Sequence, residues 1–135
     1  MGSFFSKPMS YVPKYILKRL VPKDAVTKVE NGVKVKAINV ISPIPLSQLP
    51  GNPLDEIDLA LDGKEMSREE KAKVTVEVNG DTYPLENLRD AGDVAIGAEM
   101  IFFFETDAYN SGDEVTAKLS IPIANTELEF TRKIQ

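Results

Sequence analysis

Turn signals interrupt this chain so often that no long helix fits, and their spacing constrains the fold more than any other feature of the sequence. Asn31-Gly32, Asp62-Gly63 and Asn79-Gly80 each follow or separate segments in which apolar and polar residues alternate. Such dipeptides readily take the positive φ angles that a tight β-hairpin requires. Short alternating segments between turns are typical of β-strands with one covered face and one solvated face.

The alternating segments predict seven or eight short strands. Helical turns are expected at residues 67–70, where Ser67 can act as the cap and Glu70 can take the reciprocal position, and at residues 85–89. Residues 15–21 lie between two prolines and fit either one helical turn or a strand. The predicted strands cover residues 25–29, 33–41, 54–62, 73–78, 82–83, 98–106, 115–121 and 127–131.

Prolines at positions 43, 45, 50 and 53 mark an extended crossing segment in which we expect no helix. The length of 135 residues fits one domain. We therefore predict an all-β fold, an antiparallel two-sheet β-sandwich of the jelly-roll or immunoglobulin-like kind. Residues 1–12 are expected to be a flexible basic N-terminal segment, and residues 13–135 are expected to form the sandwich domain.

Charge is divided unevenly along the chain. The net charge is −5, but residues 1–36 carry +6 and the remaining 99 residues carry −11. An acidic body disfavours nucleic acid, because neutralising phosphate dominates that kind of binding. No segment approaches the roughly 20 apolar residues that span a bilayer. The first residues also lack the apolar stretch of a secretory signal. We expect no nucleic-acid partner, no membrane contact and a cytoplasmic location.

The absence of His and Cys restricts the chemistry that this chain can perform. It excludes Ser-His and Cys-His nucleophiles, disulfides and zinc sites built on thiolate or imidazole. The glycines form no nucleotide-binding pattern, so no cofactor is expected. Tyr11, Tyr15, Tyr83 and Tyr109 could stack on sugar rings, with ordinary packing as the alternative.

Carboxylates are the remaining candidates for chemistry. Residues 55–62 are rich in acids, but along an extended strand their oxygens spread apart and need another loop to converge on one cation. We interpret them as a solvated strand face. Glu99 and Glu105 border the most apolar strand and are the candidate pair for hydrolysis, with solvated charge as the simpler interpretation. The sequence thus predicts no catalytic residue and no metal ligand.

Residues 100–104 are five apolar residues in a row, the most hydrophobic piece of the chain. Only one side of a sandwich strand faces the core, so the other side needs a different cover. Residues 43–53, or the region of Ile16 and Leu17, could provide that cover within the chain; a protein partner or a second copy could provide it from outside. The predicted interface residues are Ile44, Leu46, Ile101 and Phe103.

Four motifs carry a resemblance to a known family: Ile44-Pro45-Leu46-Ser47, Leu61-Asp62-Gly63-Lys64, Val78-Asn79-Gly80-Asp81-Thr82-Tyr83-Pro84-Leu85 and Ser111-Gly112-Asp113-Glu114-Val115. From residue 44 onward the chain resembles the small beta subunit of bacterial C-glycoside deglycosidases and its uncharacterised relatives. Residues 50–53 look like an insertion, and the first 30 residues match no part of that pattern.

The resemblance implies a β-sandwich subunit that packs on a larger, metal-dependent barrel subunit, with the metal and the catalytic base on the barrel. It carries no catalytic residue over to this chain. We therefore predict a non-catalytic accessory subunit whose partner is a larger catalytic subunit or another copy of the chain. The alternative is a stand-alone sandwich, single or homo-oligomeric, that binds a carbohydrate or another small ligand.

Overall fold

The alternating segments of the sequence form strands. The computed structural model describes residues 10–11, 13–122 and 126–135. Within them, eight strands have four or more residues, as predicted, and four further strands have two residues each. The strands are β1 Ser10–Tyr11, β2 Val26–Val29, β3 Gly32–Ile38, β4 Ile44–Pro45, β5 Asp58–Leu61, β6 Lys64–Glu65, β7 Thr75–Val78, β8 Asp81–Pro84, β9 Asp93–Val94, β10 Glu99–Glu105, β11 Glu114–Ile121 and β12 Thr126–Lys133.

Ten of these strands build two five-stranded sheets, which confirms the all-β sandwich. Sheet A has the order β1-β12-β11-β5-β6, and sheet B has the order β2-β3-β10-β7-β8. Strands β4 and β9 form a separate pair. Neighbouring strands are antiparallel except β1, which runs parallel to β12. The most apolar strand, β10, lies at the centre of sheet B between β3 and β7.

Two of the predicted turns close hairpins through positive φ angles at both loop residues. Asp62 and Gly63 join β5 to β6 with φ of 51° and 80°, and Asn79 and Gly80 join β7 to β8 with φ of 55° and 87°. These are the signs of a type I′ turn, whose twist matches that of the flanking strands. The dipeptides therefore fix the register of both hairpins as expected.

The turn between β2 and β3 differs from the prediction. Its positive φ, 69°, belongs to Asn31, whereas Gly32 is already the first residue of β3 and pairs with Val29. Only glycine fits at this position, because neighbouring atoms leave no room for a Cβ atom. A Cβ atom at this position would overlap the carbonyl oxygen of Phe104 and would lie 2.8 Å from Cε1 of the Phe103 ring.

Residues 15–21, for which helix and strand were both open, lie mostly within helix α1, Lys14–Leu20. The capping box predicted at residues 67–70 is present at the start of helix α3, Arg68–Lys71. The Glu70 amide donates to Oγ of Ser67 over 3.1 Å, and the Ser67 amide donates to Oε1 of Glu70 over 2.8 Å. Residues 85–89 fall in the longer 3₁₀ segment Leu85–Ala91.

Two expectations about the proline-rich region are wrong. It contains a 3₁₀ turn, Leu46–Gln48, and helix α2, Pro53–Glu56, although we expected no helix. The strand predicted over 54–62 therefore begins only at Asp58. The cause is local: the Asn52 side chain accepts a hydrogen bond from the Leu54 amide at 2.9 Å, proline occupies the first turn, and two acids follow in that turn.

The inner faces of the two sheets form the core. Phe102 is 2% exposed and lies in register with Val35 on one side and Val76 on the other. Its ring stacks with that of Phe104, with 6.4 Å between the ring centroids. Burying a side chain of this size contributes about 1.5–3 kcal/mol, so these faces supply much of the stability.

Arg132 of β12 and Gln135, which follows β12, form hydrogen bonds to residues near the start of the domain. Nη2 of Arg132 donates to the Val21 carbonyl over 2.7 Å. Gln135 exchanges two backbone hydrogen bonds with β2, donating to Val26 and accepting from Lys28, so it covers the outer edge of that strand. No helix in the described part of the chain is long and apolar enough to cross a bilayer.

Candidate functional site

The candidate pair for hydrolysis does not come together. Glu99 and Glu105 are exposed at the two ends of β10. Six residues of extended strand separate them by about 20 Å. Glycosidase carboxylates act at roughly 5–9.5 Å, so these two cannot serve one bond.

The acidic residues of 55–62 are divided among different local structures. Asp55 on α2 pairs with Arg68 at 2.8 Å, and the Arg68 hydrogen bond lowers the pKa of the Asp55 carboxyl. Asp62 in the β5–β6 turn accepts from the Thr116 amide at 2.9 Å and from the Tyr109 hydroxyl at 2.7 Å, and these bonds lower its pKa. Among the described residues no three His, Cys, Asp or Glu side chains cluster so that they could hold a metal.

The tyrosines lie in different elements. Tyr15 on α1 is 72% exposed, whereas Tyr83 and Tyr109 pack against the core. Burial, followed by the hydrogen bond to Asp62, raises the pKa of Tyr109 to about 12. The side chain of Tyr11 lies outside the described part of the structure. Tyr83 and Tyr109 therefore have packing roles.

The four predicted interface residues have different surroundings. Leu46 is fully buried in the core, so it offers no surface to a partner. Ile44 is half-buried in β4, and Ile101 and Phe103 are half-buried on the outer face of β10. These last two alternate with the buried Met100, Phe102 and Phe104, so β10 turns its larger apolar side inward.

One end of the sandwich is organised by a residue that the sequence analysis did not single out. Asn39, 6% exposed, follows β3. Its Nδ2 donates to the carbonyls of Ser42, Val94 and Ala95 at 2.7, 3.0 and 3.3 Å, and its Oδ1 accepts from the Ile41 amide at 3.3 Å. One amide thereby fixes two segments, 39–44 and 94–98, against each other. We call this region the Asn39 end.

Two exposed isoleucines lie in the loops that Asn39 holds. Ile41 is 47% exposed and Ile96 is 59% exposed; with Tyr15 they make up the exposed large hydrophobic residues of the described chain. The Ile41 amide is itself bonded to Asn39, and Ile96 follows Ala95, whose carbonyl accepts from Asn39. The sequence offered one indication of this role of Asn39: it is the single polar residue within the apolar run 37–41.

An apolar pocket of about 60 Å³ lies beside Asn39, between the two sheets. Sheet B contributes Ala37 and Met100, and sheet A contributes Leu119, Ile121 and Leu128. The other residues that line the pocket are Leu20, Asn39, Ile41, Ser42 and Ile44. The predicted interface residue Ile44 therefore belongs to the same region as the exposed isoleucines.

Comparison of the chain with protein-family models, with curated proteins and with solved structures finds no match.

Proposed function

We propose that this protein is a non-catalytic accessory subunit that docks on a larger enzyme through the Asn39 end. The larger enzyme would be a metal-dependent barrel, as in the C-glycoside deglycosidases whose small subunit the chain resembles from residue 44 onward. The metal and the catalytic base would belong to that partner. We also propose that this chain and the larger enzyme are located in the cytoplasm. Cell fractionation of the native source would test this location.

The exposed positions of Ile41 and Ile96 are the observation that carries the proposal. Exposed apolar side chains that lie close together on a surface mark protein–protein interaction sites. The hydrogen bonds of Asn39 hold both loops before any partner arrives, so docking would lose little further conformational entropy.

The pocket supports a docking role more than a sugar-binding role. Its volume of about 60 Å³ is smaller than the roughly 150 Å³ of a cavity that admits benzene. Sugar rings also need several hydrogen-bonding groups, whereas the wall is mainly aliphatic and the Asn39 amide is already bonded to backbone. A branched aliphatic side chain of the partner matches this size and chemistry.

The chemistry of the carboxylates also supports an accessory role. Those with lowered pKa, Asp55, Asp62 and Glu70, each accept hydrogen bonds that hold local structure together. A catalytic acid would instead need a raised pKa in an apolar setting. The second candidate function, binding of a small apolar ligand by a stand-alone sandwich, is favoured only by the presence of the pocket.

Affinity recovery of the tagged chain from its native source tests the proposal. We expect one larger subunit in a fixed ratio, identified by mass spectrometry as a metal-dependent barrel. Purified components should then bind each other in calorimetry, and Ile96→Asp should weaken that binding by at least about tenfold.

Tyr15→Asp is the matched control, because it places the same charge at the other exposed large hydrophobic residue. It should leave binding within about twofold. Recovery of no larger subunit, or equal binding by Ile96→Asp and the unchanged chain, would contradict the proposal.

A further inference from the structure

The outer faces of the two sheets have different chemistry. On sheet A, Lys118 pairs with Glu127 at 3.6 Å, and the hydroxyls of Thr116 and Thr131 hydrogen-bond at 2.8 Å. Polar groups on that face thus satisfy one another. On sheet B the central strand β10 presents Ile101 and Phe103 instead.

The three central strands of sheet B form three adjacent columns on its outer face. Lys34 and Lys36 of β3 lie beside Phe103 and Ile101 of β10, in direct register. On the other side of β10, Thr75 and Glu77 of β7 lie in register with the same two residues. A basic column and a column containing an acid therefore flank an apolar centre.

The charges of this face have no ion-pair partner within the described residues. Lys36 and Glu77 lie in one row, but two strand spacings of about 10 Å separate their strands. The ion pairs of the described chain join Arg68 to Asp55 and Lys118 to Glu127, away from this face.

We infer that two copies of this chain associate face to face through the outer faces of sheet B. A two-fold axis parallel to β10 brings Ile101 and Phe103 of the two copies together. The same rotation lays β3 of one copy over β7 of the other, so Lys36 of each copy meets Glu77 of its partner. Such an interface is closed and self-complementary.

Charge selects this arrangement among the possible ones. A two-fold axis across the strands would lay β3 over β3 and oppose the lysines to each other, which costs free energy. Extension of sheet B through β2 is blocked, because Gln135 already bonds along that edge. Glu99 and Glu105 lie exposed on the same face at the two ends of β10. Both axes oppose these acids to an acid of the other copy, so they do not distinguish the two arrangements, and the lysines do.

Charge reversal tests this inference on the purified chain alone, so its outcome does not depend on the proposed enzyme partner. Sedimentation equilibrium of the unchanged chain should show a dimer. Lys36→Glu and Glu77→Lys should each weaken dimerisation by at least about tenfold, because each places like charges across the interface. An equimolar mixture of the two variants should form a dimer again, because the two reversals complement each other between copies.

Lys118→Glu on the outer face of sheet A is the control and should leave dimerisation unchanged. Denaturant unfolding of every variant checks that the fold is intact. A monomeric unchanged chain, a mixture that stays monomeric, or an equal effect of Lys118→Glu would overturn the inference.

Discussion

The hydroxyl of Tyr109 donates a hydrogen bond of 2.7 Å to Oδ2 of Asp62, which lies 47 residues earlier in the chain. The other carboxylate oxygen of Asp62 accepts from the Thr116 amide. A single turn residue thereby ties the β5–β6 hairpin to the loop that leads from β10 into β11. This loop crosses between the sheets, so the contact helps to hold one sheet against the other.

Tyr109→Phe should lower the free energy of unfolding by about 1 kcal/mol, the usual net contribution of a partly solvated hydrogen bond. Urea unfolding of both proteins would measure the difference. Tyr15→Phe is the matched control, because Tyr15 is 72% exposed on α1 and its hydroxyl should contribute nothing measurable. Equal losses in the two variants would refute the role assigned to Tyr109.

Tyr109 should ionise only at strongly alkaline pH. Burial and Asp62 raise its pKa from 10.0 to about 12, so the folded state holds this proton more tightly than the unfolded chain does. The stabilising contribution is complete below pH 10.0 and is lost as the pH rises through about 12. Tyrosinate absorbance against pH should show a step near pH 12, and Tyr109→Phe should remove it. Persistence of that step in the variant would contradict the prediction.

Asn39→Asp should destabilise the protein by about 2–4 kcal/mol, because it replaces a buried donor by a group that only accepts and leaves backbone carbonyls unpaired. Asn52→Asp is a close control. Asn52 uses its side-chain oxygen to accept from the Leu54 amide, and aspartate can do the same. Thermal unfolding should therefore separate the two variants clearly; similar melting temperatures would count against the role of Asn39.

Gly32→Ala should cost about 1–3 kcal/mol, since the new Cβ would overlap the Phe104 carbonyl oxygen, which cannot move without its strand. Removing the neighbouring ring with Phe103→Ala should give no rescue, because the carbonyl remains. Thr27→Ala on the same hairpin should stay within about 0.5 kcal/mol. Recovery of stability in the double variant would show that the ring, and not the backbone, sets the constraint.

Local chemistry made much of the fold predictable. The I′ turns at Asp62-Gly63 and Asn79-Gly80, and the capping box of Ser67 and Glu70, depend on neighbours in the sequence. Helix α2 was missed because the strand that contains Ile57, Leu59 and Leu61 was extended back to Leu54, although Asp55 breaks the alternation. Its cap, its proline and its acids were present, but the alternating pattern was given more weight.

The candidate site depended on contacts that no local pattern reports. Asn39 reaches carbonyls 55 and 56 residues away, and Ile96 gains its position through the same bonds. Leu46 shows the same dependence: it is among the predicted interface residues, and in the single chain it is fully buried. Burial of a single apolar residue in a loop depends on which loop packs over it, which only the tertiary structure decides.

The central place of β10 has a consequence for the order in which the protein can be made. Sheet B consists of two hairpins, β2–β3 and β7–β8, that are joined only by this later strand. Isolated two-stranded hairpins are only marginally stable in water. Neither hairpin of sheet B can therefore form a stable structure before the ribosome has added residues 99–105. In sheet A, β11 joins the earlier hairpin β5–β6 to β12, which follows it in the chain. Nascent chains should therefore remain unstructured until β10 and β11 have been synthesised, and then fold in one cooperative step.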